Sequence, residues 1–304
     1  MRLVFAGTPA VAVPTLRVLA AAHEIAAVVT RPDAPMGRKR VLTPSPVARE
    51  ATELGLPVIR AARLDAEATG RITALRPELG VIVAYGGLVR EPLLSAPAHG
   101  WINLHFSLLP RWRGAAPVQH ALIAGDAELG ASVFQLVEAL DAGDVYAART
   151  TTVPADATAD AVLDLLAAEG ADLTAEVVDA IEAGSATAVP QDGAVTFAPK
   201  LSLEDGLLDF SRPLADVYAR FRGVTPEPGA HTTVDGARLK ILAAAPAQGA
   251  GPLTAGEMAG TKGAVLIGTA TAPLAVTRLQ PAGKEPMAAA DWWRGRRTAG
   301  RAGS

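Results

Sequence analysis

The chain has 304 residues, of which 50% are hydrophobic and 19% charged, and its formal net charge is −3. This composition is typical of a globular protein and excludes an intrinsically disordered one. Because the sequence contains no cysteine, disulfides, thiolate nucleophiles, thiolate zinc sites and iron–sulfur clusters are excluded together.

Apolar strands alternate with helical stretches through the first part of the chain. The predicted strands are 3–7, 24–30, 56–60, 79–85, 101–109, 131–138 and 145–153, and the predicted helices are 10–22, 46–54 and 158–183. Strands separated by helices indicate an α/β fold, with a mostly parallel sheet and helices on both faces. Ser45 followed by Pro46 is a helix-start signal. The last two strands are too close in sequence for a helical crossover, so a hairpin is expected there.

The N-terminus does not resemble a secretion signal, because its apolar stretch is interrupted by Gly7, Pro9 and Pro14. No apolar run approaches the roughly 20 residues that a membrane span needs. We therefore expect a core strand here, no membrane association and a cytoplasmic protein, in keeping with the absence of cysteine.

From about residue 190 the pattern changes to short β-like runs separated by turns. These runs are 194–199, 208–210, 231–236, 238–244, 263–269 and 273–280, with one helix expected at 213–222. Val-Asp-Gly at 234–236 indicates a hairpin turn. We expect a first domain at 1–189, a linker at 190–206 and a mainly β domain at 207–304, as this length suggests.

Charge is distributed unevenly along the chain. Residues 1–199 carry 15 Lys and Arg against 22 Asp and Glu, whereas residues 200–304 carry 13 against 9. The excess of cations in the C-terminal part favours contact with a polyanion, and ordinary surface variation accounts for it equally well.

One predicted core strand carries several polar groups. Side chains two apart on a strand share a face, so Asn103, His105 and Ser107 should project together. Three polar groups on one face indicate either a satisfied buried network or a functional site. Their position favours a site, because ligands of open α/β sheets bind beyond the carboxyl ends of the strands.

The loop that leaves a later strand offers Asp141 and Asp144. An Asp near a His can fix the tautomer of the ring and stabilise its cation, and an Asn amide can donate to a developing oxyanion. The five histidines lack metal-ligand spacing, and Ser107 lacks the GxSxG context of a hydrolase nucleophile. Asn103, His105 and Asp141 therefore indicate direct acyl-type transfer between two bound substrates.

The sequence resembles the folate-dependent formyltransferases. The similarity is strongest in INLHFSLLPRWRGAAPVQ (102–119) and LDAGD (140–144), a combination strongly specific for this superfamily. Further similar segments are AGTPAVAVPTL (6–16), RPDAPMGRKRVLTPSPV (31–47), VAYGGLV (83–89), RLKILAA (238–244) and LQPAGKEPM (279–287). The basic loop and the LQPAGK segment distinguish members that act on a tRNA from those that act on a ribonucleotide amine or a sugar amine.

The resemblance implies a reaction, a fold and two substrates. The formyl group of 10-formyltetrahydrofolate, a cosubstrate, is expected to move to the α-amino group of methionine on initiator methionyl-tRNA. The implied fold is a Rossmann-like catalytic domain followed by an OB-like β-barrel that binds tRNA, in a monomer without a metal. The implied catalytic residues are Asn103, His105 and Asp141. The implied folate contacts are Tyr85, Gly86, Ser107, Leu108, Leu109 and Pro110.

Contacts with tRNA are expected from charge and position. Residues 31–44 form a basic loop rich in Pro and Gly, and so long a loop in a compact domain is usually functional or disordered. The alternative for each candidate is a solvated surface charge. The candidate tRNA-binding residues are Arg38, Lys39, Arg40, Lys200, Arg238 and Lys240.

Two other functions stay open at this point. The first is a formyltransferase or formyl hydrolase that uses the same three groups on another acceptor, and the presence of the β domain argues against it. The second is a non-enzymatic RNA-binding protein on the scaffold of a former enzyme, and the intact Asn103, His105 and Asp141 argue against it.

Overall fold

A computed structural model describes residues 1–37, 40–296 and 300–303. The chain divides into two compact units. The first consists of Met1–Pro117, Glu128–Thr152 and Leu163–Ala198, and the second consists of Val118–Ala127, Val153–Val162 and Pro199–Ser304. The domain limits at 189 and 206 stay predictions.

The first unit is built on a seven-stranded sheet. A 3-10 turn (Ala10–Ala12) follows its first strand. The strands are β1 (Arg2–Gly7), β2 (Glu24–Thr30), β3 (Ala34–Met36), β4 (Val41–Thr43), β5 (Val58–Arg60), β6 (Leu79–Val83), β7 (Trp101–His105), β8 (Leu129–Gln135) and β9 (Val145–Thr151). The helices along this part of the chain are α1 (Val13–Ala22), α2 (Pro46–Glu53), α3 (Ala66–Ala74), α4 (Pro117–Ala124) and α5 (Ala159–Glu182).

The sheet order is β5-β2-β1-β6-β7-β8-β9. Strands β5, β2, β1, β6 and β7 run parallel, whereas β8 is antiparallel to β7 and β9 is antiparallel to β8. The predicted mostly parallel α/β sheet and the predicted hairpin between its last two strands are therefore confirmed.

The central strands lie in the core because their side chains are apolar on both faces. All five residues of β6 are buried, as parallel strands covered on two faces require. Trp101 of β7 is fully buried, and its indole N–H donates to the Leu93 carbonyl at 2.8 Å. Gly80 makes room for it, since a Cβ at this position would come within 2.1 Å of the indole ring.

Helix α2 begins where the sequence predicts. Ser45 is its N-cap, with the side-chain oxygen accepting a hydrogen bond from the Ala48 N–H at 3.0 Å, and Pro46 occupies the first turn. The Ser45 hydroxyl also lies 2.7 Å from that of Thr30, at the end of β2. The cap thereby fixes the helix against the sheet.

Several elements differ from the predictions. Helix α3 is absent from the predictions because Gly70 interrupts its helical pattern, and Asp65 caps it through the Ala68 N–H. The 31–44 segment contains the short antiparallel pair β3–β4, whose three-residue strands are too brief to show alternation. The predicted strands 194–199 and 208–210 are not strands in the structure, because neither has a continuous ladder with a neighbouring strand. The first forms an isolated bridge at Phe197, and an isolated bridge at Leu207 lies just before the second.

The second unit contains a six-stranded antiparallel sheet. Its strands are β10 (His231–Val234), β11 (Ala237–Pro246), β12 (Met258–Gly260), β13 (Val265–Ile267), β14 (Leu274–Pro281) and β15 (Met287–Ala288), accompanied by the helices α6 (Leu214–Gly223) and α7 (Ala289–Arg294). The order is β10-β11-β14-β13-β12, with β15 paired to β14, which makes a half-barrel around an apolar core. The predicted β-rich C-terminal fold is confirmed.

The predicted hairpin turn joins β10 to β11. Val234 pairs with Ala237, and the two residues between them, Asp235 and Gly236, have φ of 52° and 73°. Positive φ at both central positions is the two-residue turn that suits the twist of a hairpin, and Asp-Gly adopts it readily.

Among the described residues, no helix combines the length and the apolarity that crossing a membrane requires.

Two glycine substitutions test this packing. Gly80→Ala should destabilise the protein by about 1–3 kcal/mol, because its new methyl group would overlap the buried Trp101 ring. Gly70→Ala should stabilise it by about 0.5–1 kcal/mol, since nothing lies within 4 Å of the new methyl group in helix α3. Urea unfolding curves measure both changes. Equal midpoints for the two variants would contradict this account of the core.

Candidate active site

A cavity of about 440 Å³ opens beyond the carboxyl ends of β6 and β7. This is the edge of a parallel sheet at which ligands of α/β folds usually bind. Its volume is in the range of small-molecule sites. The lining residues are Ile82, residues 84–89 and 103–106, Gly114, Ala115, Pro117 and residues 136–141.

His105 ends strand β7 and is buried, with 6% of its surface exposed. Its Nε2 lies 2.9 Å from the Trp112 carbonyl oxygen. Because a carbonyl oxygen can only accept, Nε2 carries the hydrogen in this contact. In the neutral ring Nδ1 therefore keeps its lone pair, and this atom lies 3.9 Å from Oδ2 of Asp141.

Opposing effects act on the pKa of His105. Burial is the largest and lowers the pKa below the ordinary value of 6.5, because the protonated ring loses its hydration. The negative charge of Asp141 and the hydrogen bond to the Trp112 carbonyl raise it, but less. The neutral ring is thus favoured at neutral pH, with a carboxylate placed to stabilise the cation once a proton arrives.

Asp141 is fixed by the backbone of a neighbouring loop. Its Oδ2 accepts a hydrogen bond from the Gly114 N–H at 2.7 Å, and its own φ of 44° is unusual for a residue other than glycine. Gly114 has φ of 128°, and a Cβ there would lie 2.6 Å from the Ala198 carbonyl oxygen. A larger residue would therefore displace the N–H that holds the carboxylate.

Asn103 lies two residues before His105 on β7 and lines the same cavity. It is the only asparagine in the sequence. Its Oδ1 is buried and has no hydrogen-bond partner among the described residues. Leaving such a group unpaired costs about 1–3 kcal/mol, which is explained if a bound molecule satisfies it. The structure thus brings Asn103, His105 and Asp141 to one cavity, while their chemical roles stay predictions.

The predicted folate contacts fall into two groups. Tyr85 and Gly86 line the cavity, with the Tyr85 hydroxyl donating to the Ala61 carbonyl at 2.9 Å and the Gly86 carbonyl accepting from the Arg31 guanidinium. Burial raises the pKa of Tyr85. Ser107, Leu108, Leu109 and Pro110 lie outside the described lining of the cavity.

Strand β7 ends at His105, so the expected face shared by Asn103, His105 and Ser107 extends over the first two residues alone. The predicted strand 101–109 is therefore too long, because the alternation in the sequence continues beyond the hydrogen-bonded ladder; the folate contact of Ser107 stays a prediction. The Ser107 hydroxyl instead donates to the Arg111 carbonyl at 2.6 Å, which stabilises the turn after the strand. Leu108 packs over Gly130 of β8.

The candidate tRNA contacts are spread over both units. Arg38 and Lys39 lie outside the described residues. Arg40 is exposed at the end of the β3–β4 pair, and Lys200 is exposed at the start of the last part of the second unit. Arg238 and Lys240 share the outer face of β11, where they alternate with the buried Leu239 and Ile241. Their roles in RNA binding stay predictions.

The segment that supports this site was not predicted to be part of it. Residues 189–198, here called the strap, run beside the loop that holds His105 and Asp141. The Trp112 N–H donates to the Thr196 hydroxyl at 2.9 Å, and the Ala198 N–H donates to the Arg113 carbonyl at 2.8 Å. The β-like alternation of residues 194–199 indicated an extended chain, but a pattern of this kind does not identify the partner.

Comparison with known proteins gives concordant results. Residues 1–178 match the family described as "Formyl transferase", and residues 200–297 match "Formyl transferase, C-terminal domain". The chain is 62% identical to the methionyl-tRNA formyltransferase of Clavibacter sepedonicus over 296 residues, and 62% identical to that of Leifsonia xyli subsp. xyli over 295 residues, in each case covering 97% of both chains.

A solved structure with the same fold carries a folate. It is HypX from Aquifex aeolicus in complex with tetrahydrofolic acid, with a TM-score of 0.64 at 18% identity, over 96% of this chain and 47% of that one. At this level of identity the similarity concerns the fold alone.

The opposing effects of burial and of Asp141 on the pKa of His105 can be tested by NMR. Asp141→Asn removes the negative charge that raises the pKa of His105 and leaves the burial that lowers it. The pKa should therefore fall further, and the ring should take up a proton only at more acidic pH. Ring resonances of the five histidines, assigned with His105→Gln, measure this. Asp144→Asn is the matched control, and an equal pKa in the two Asp variants would contradict the assigned contact.

Proposed function

The chain belongs to the formyl transferase family, and we propose that it transfers the formyl group of 10-formyltetrahydrofolate to the α-amino group of methionine on initiator methionyl-tRNA. The observation that carries this proposal is the match to relatives of that name along 97% of both chains, the C-terminal domain included. The site adds the groups that acyl transfer requires.

The cavity suits a folate cosubstrate. Oδ1 of Asn103 has no hydrogen-bond partner among the described residues, and three apolar residues of the cavity lining, Leu88, Val137 and Leu140, are exposed. Apolar walls with a few well-placed polar groups are what a flat heteroaromatic ligand needs. We propose Tyr85 and Gly86, which line the cavity, and residues 107–110 as folate contacts.

The reaction forms a bond between the α-amino nitrogen and the formyl carbon and breaks the bond from that carbon to N10 of the folate. 10-Formyltetrahydrofolate supplies the formyl group. The Asn103 amide N–H donates to the formyl oxygen, which gains negative charge as the amine attacks. His105 accepts the proton that the amine loses, directly or through a water, and then returns it to the departing nitrogen.

The hydrogen bond of Nε2 supports Nδ1 as the atom of His105 that takes the proton. Nε2 already donates to the Trp112 carbonyl, so Nδ1 is the basic atom. A pKa lowered by burial keeps this atom free of a proton at neutral pH. Asp141, at 3.9 Å, stabilises the cation for the short time that it exists.

The C-terminal unit is proposed to bind the tRNA. Arg238 and Lys240 of β11 project from one face and form no ion pair with a described residue. Together with Lys200 and the basic residues Arg38, Lys39 and Arg40, they supply the positive charge that phosphates require. We further propose that the enzyme acts as a monomer in the cytoplasm.

One assay separates this function from its alternatives. The protein is incubated with 10-formyltetrahydrofolate and charged initiator tRNA, and the aminoacyl group is analysed. We expect formyl-methionine on the tRNA. Free formate without formyl-methionine would identify a hydrolase, and tRNA binding without either product would identify a non-enzymatic RNA-binding protein.

Substitution of the catalytic groups should affect turnover rather than tRNA binding. Asn103→Ala removes the donor to the oxyanion and should lower kcat by a factor on the order of 10²–10³. Asp141→Ala should also lower kcat strongly, because it leaves the imidazolium unstabilised. Steady-state kinetics and filter binding measure the two effects. Asp144→Ala is the matched control, and near-normal turnover in Asp141→Ala would exclude the role given to this residue.

If these residues contact phosphates, the affinity for tRNA should fall as the salt concentration rises. Each phosphate neutralised contributes about 0.7–0.9 to the slope of log affinity against log salt. Arg238→Ala and Lys240→Ala should each reduce the slope by that amount, and Lys262→Ala, an exposed lysine outside the candidate set, should leave it unchanged. Filter binding at a series of salt concentrations tests this. Slopes equal to that of the unmodified protein would exclude these two contacts.

A further inference from the structure

The Gln191 side chain joins the two loops on which His105 and Asp141 depend. Its Oε1 accepts hydrogen bonds from Nε and Nη2 of Arg113, at 3.1 and 2.6 Å. Its Nε2 donates to the carbonyl oxygens of Asp141 and Gly143, both at 2.8 Å. Both acceptor positions and both donor hydrogens of the carboxamide are therefore in use.

Arg113 occupies a decisive place in the sequence. It lies between Trp112, whose carbonyl accepts from His105, and Gly114, whose N–H donates to Asp141. A side chain that fixes Arg113 therefore fixes the main-chain partners of the imidazole and of the carboxylate together.

The 141–143 loop needs such support. Asp141 is in the left-handed region, with φ of 44°, where a residue other than glycine is strained. Gly143 packs so closely that a Cβ would lie 1.8 Å from the Gln135 carbonyl oxygen. The two donations from Gln191 hold the main-chain carbonyls on either side of this turn.

We propose that Gln191 is a positioning residue for formyl transfer, which fixes Asp141 opposite His105 by joining the 112–114 and 141–143 loops. The proposal rests on the function proposed above. Gln191 touches no reacting atom, and it acts through the two groups that it places. A carboxamide is required because one side chain must accept from a guanidinium and donate to two carbonyls.

Gln191→Glu distinguishes positioning from folding. The carboxylate keeps both contacts with Arg113 and adds an opposite charge, so the protein should fold as before. The Glu side chain has no N–H to donate and places a negatively charged oxygen against the Asp141 and Gly143 carbonyls. The 141–143 loop should therefore shift. Since a displacement of about 1 Å can cost on the order of 10²-fold in rate, we expect kcat to fall by roughly 10–100-fold, with both KM values within about threefold.

Gln135→Glu is the matched control. Gln135 also bridges two elements, donating to the Trp101 carbonyl at 3.0 Å and accepting from the Tyr146 hydroxyl at 2.8 Å. The same chemical change there should leave kcat within about twofold. Unfolding midpoints of both variants are measured alongside the kinetics, and Gln191→Ala, which loses all four bonds, should lower kcat at least as much as Gln191→Glu.

The outcomes separate this inference from the proposed function. If the unmodified protein forms no formyl-methionyl-tRNA, the function is wrong. If it does, and Gln191→Glu and Gln191→Ala turn over at its rate, the positioning role is wrong. A loss of activity that follows the unfolding midpoint, or that Gln135→Glu reproduces, would likewise overturn the role.

Discussion

The candidate active site is organised around the buried His105 imidazole and the Asp141 carboxylate, which lie 3.9 Å apart. Their arrangement depends on a loop of three residues, because Trp112 accepts from the ring and Gly114 donates to the carboxylate. The Trp112 carbonyl selects the tautomer of His105, and the Gly114 N–H orients the Asp141 carboxylate. Main-chain groups are suited to this task because they cannot change rotamer, and a low-dielectric surrounding strengthens the interactions that they make.

Unusual backbone conformations concentrate around this pair. Ala84, Trp112 and Asp141 have φ of 48°, 61° and 44°, although none is a glycine. Conformations of this kind cost about 1–3 kcal/mol each and persist only where the surroundings impose them. The surroundings here include hydrogen bonds from other segments: Trp112 donates to Thr196, and Asp141 accepts from Gly114 and Gln191. These hydrogen bonds hold two of the three residues in place.

Regular elements were predictable, whereas the supports of the site were not. Continuous apolar runs identified β1, β2 and β6, a Ser-Pro pair identified the start of α2, and polar residues on a core strand pointed to the cavity. Helix α3 could not be predicted because Gly70 interrupts its helical pattern. The end of β7 was predicted too late, because the alternation of polar and apolar residues continues past the hydrogen-bonded ladder. Gln191 lies 78 residues from Arg113 in sequence, and periodicity carries no information about a polar contact over such a separation.

The strap has a consequence for modularity. The strap leads toward the second unit, but it belongs to the first. Its Thr196 and Ala198 form hydrogen bonds with the loop beside His105. Chimeras that exchange the C-terminal unit for that of a relative should keep the native chain through Ala198. A junction placed upstream of residue 189 would replace the segment that bonds to the loop beside His105 along with the second unit.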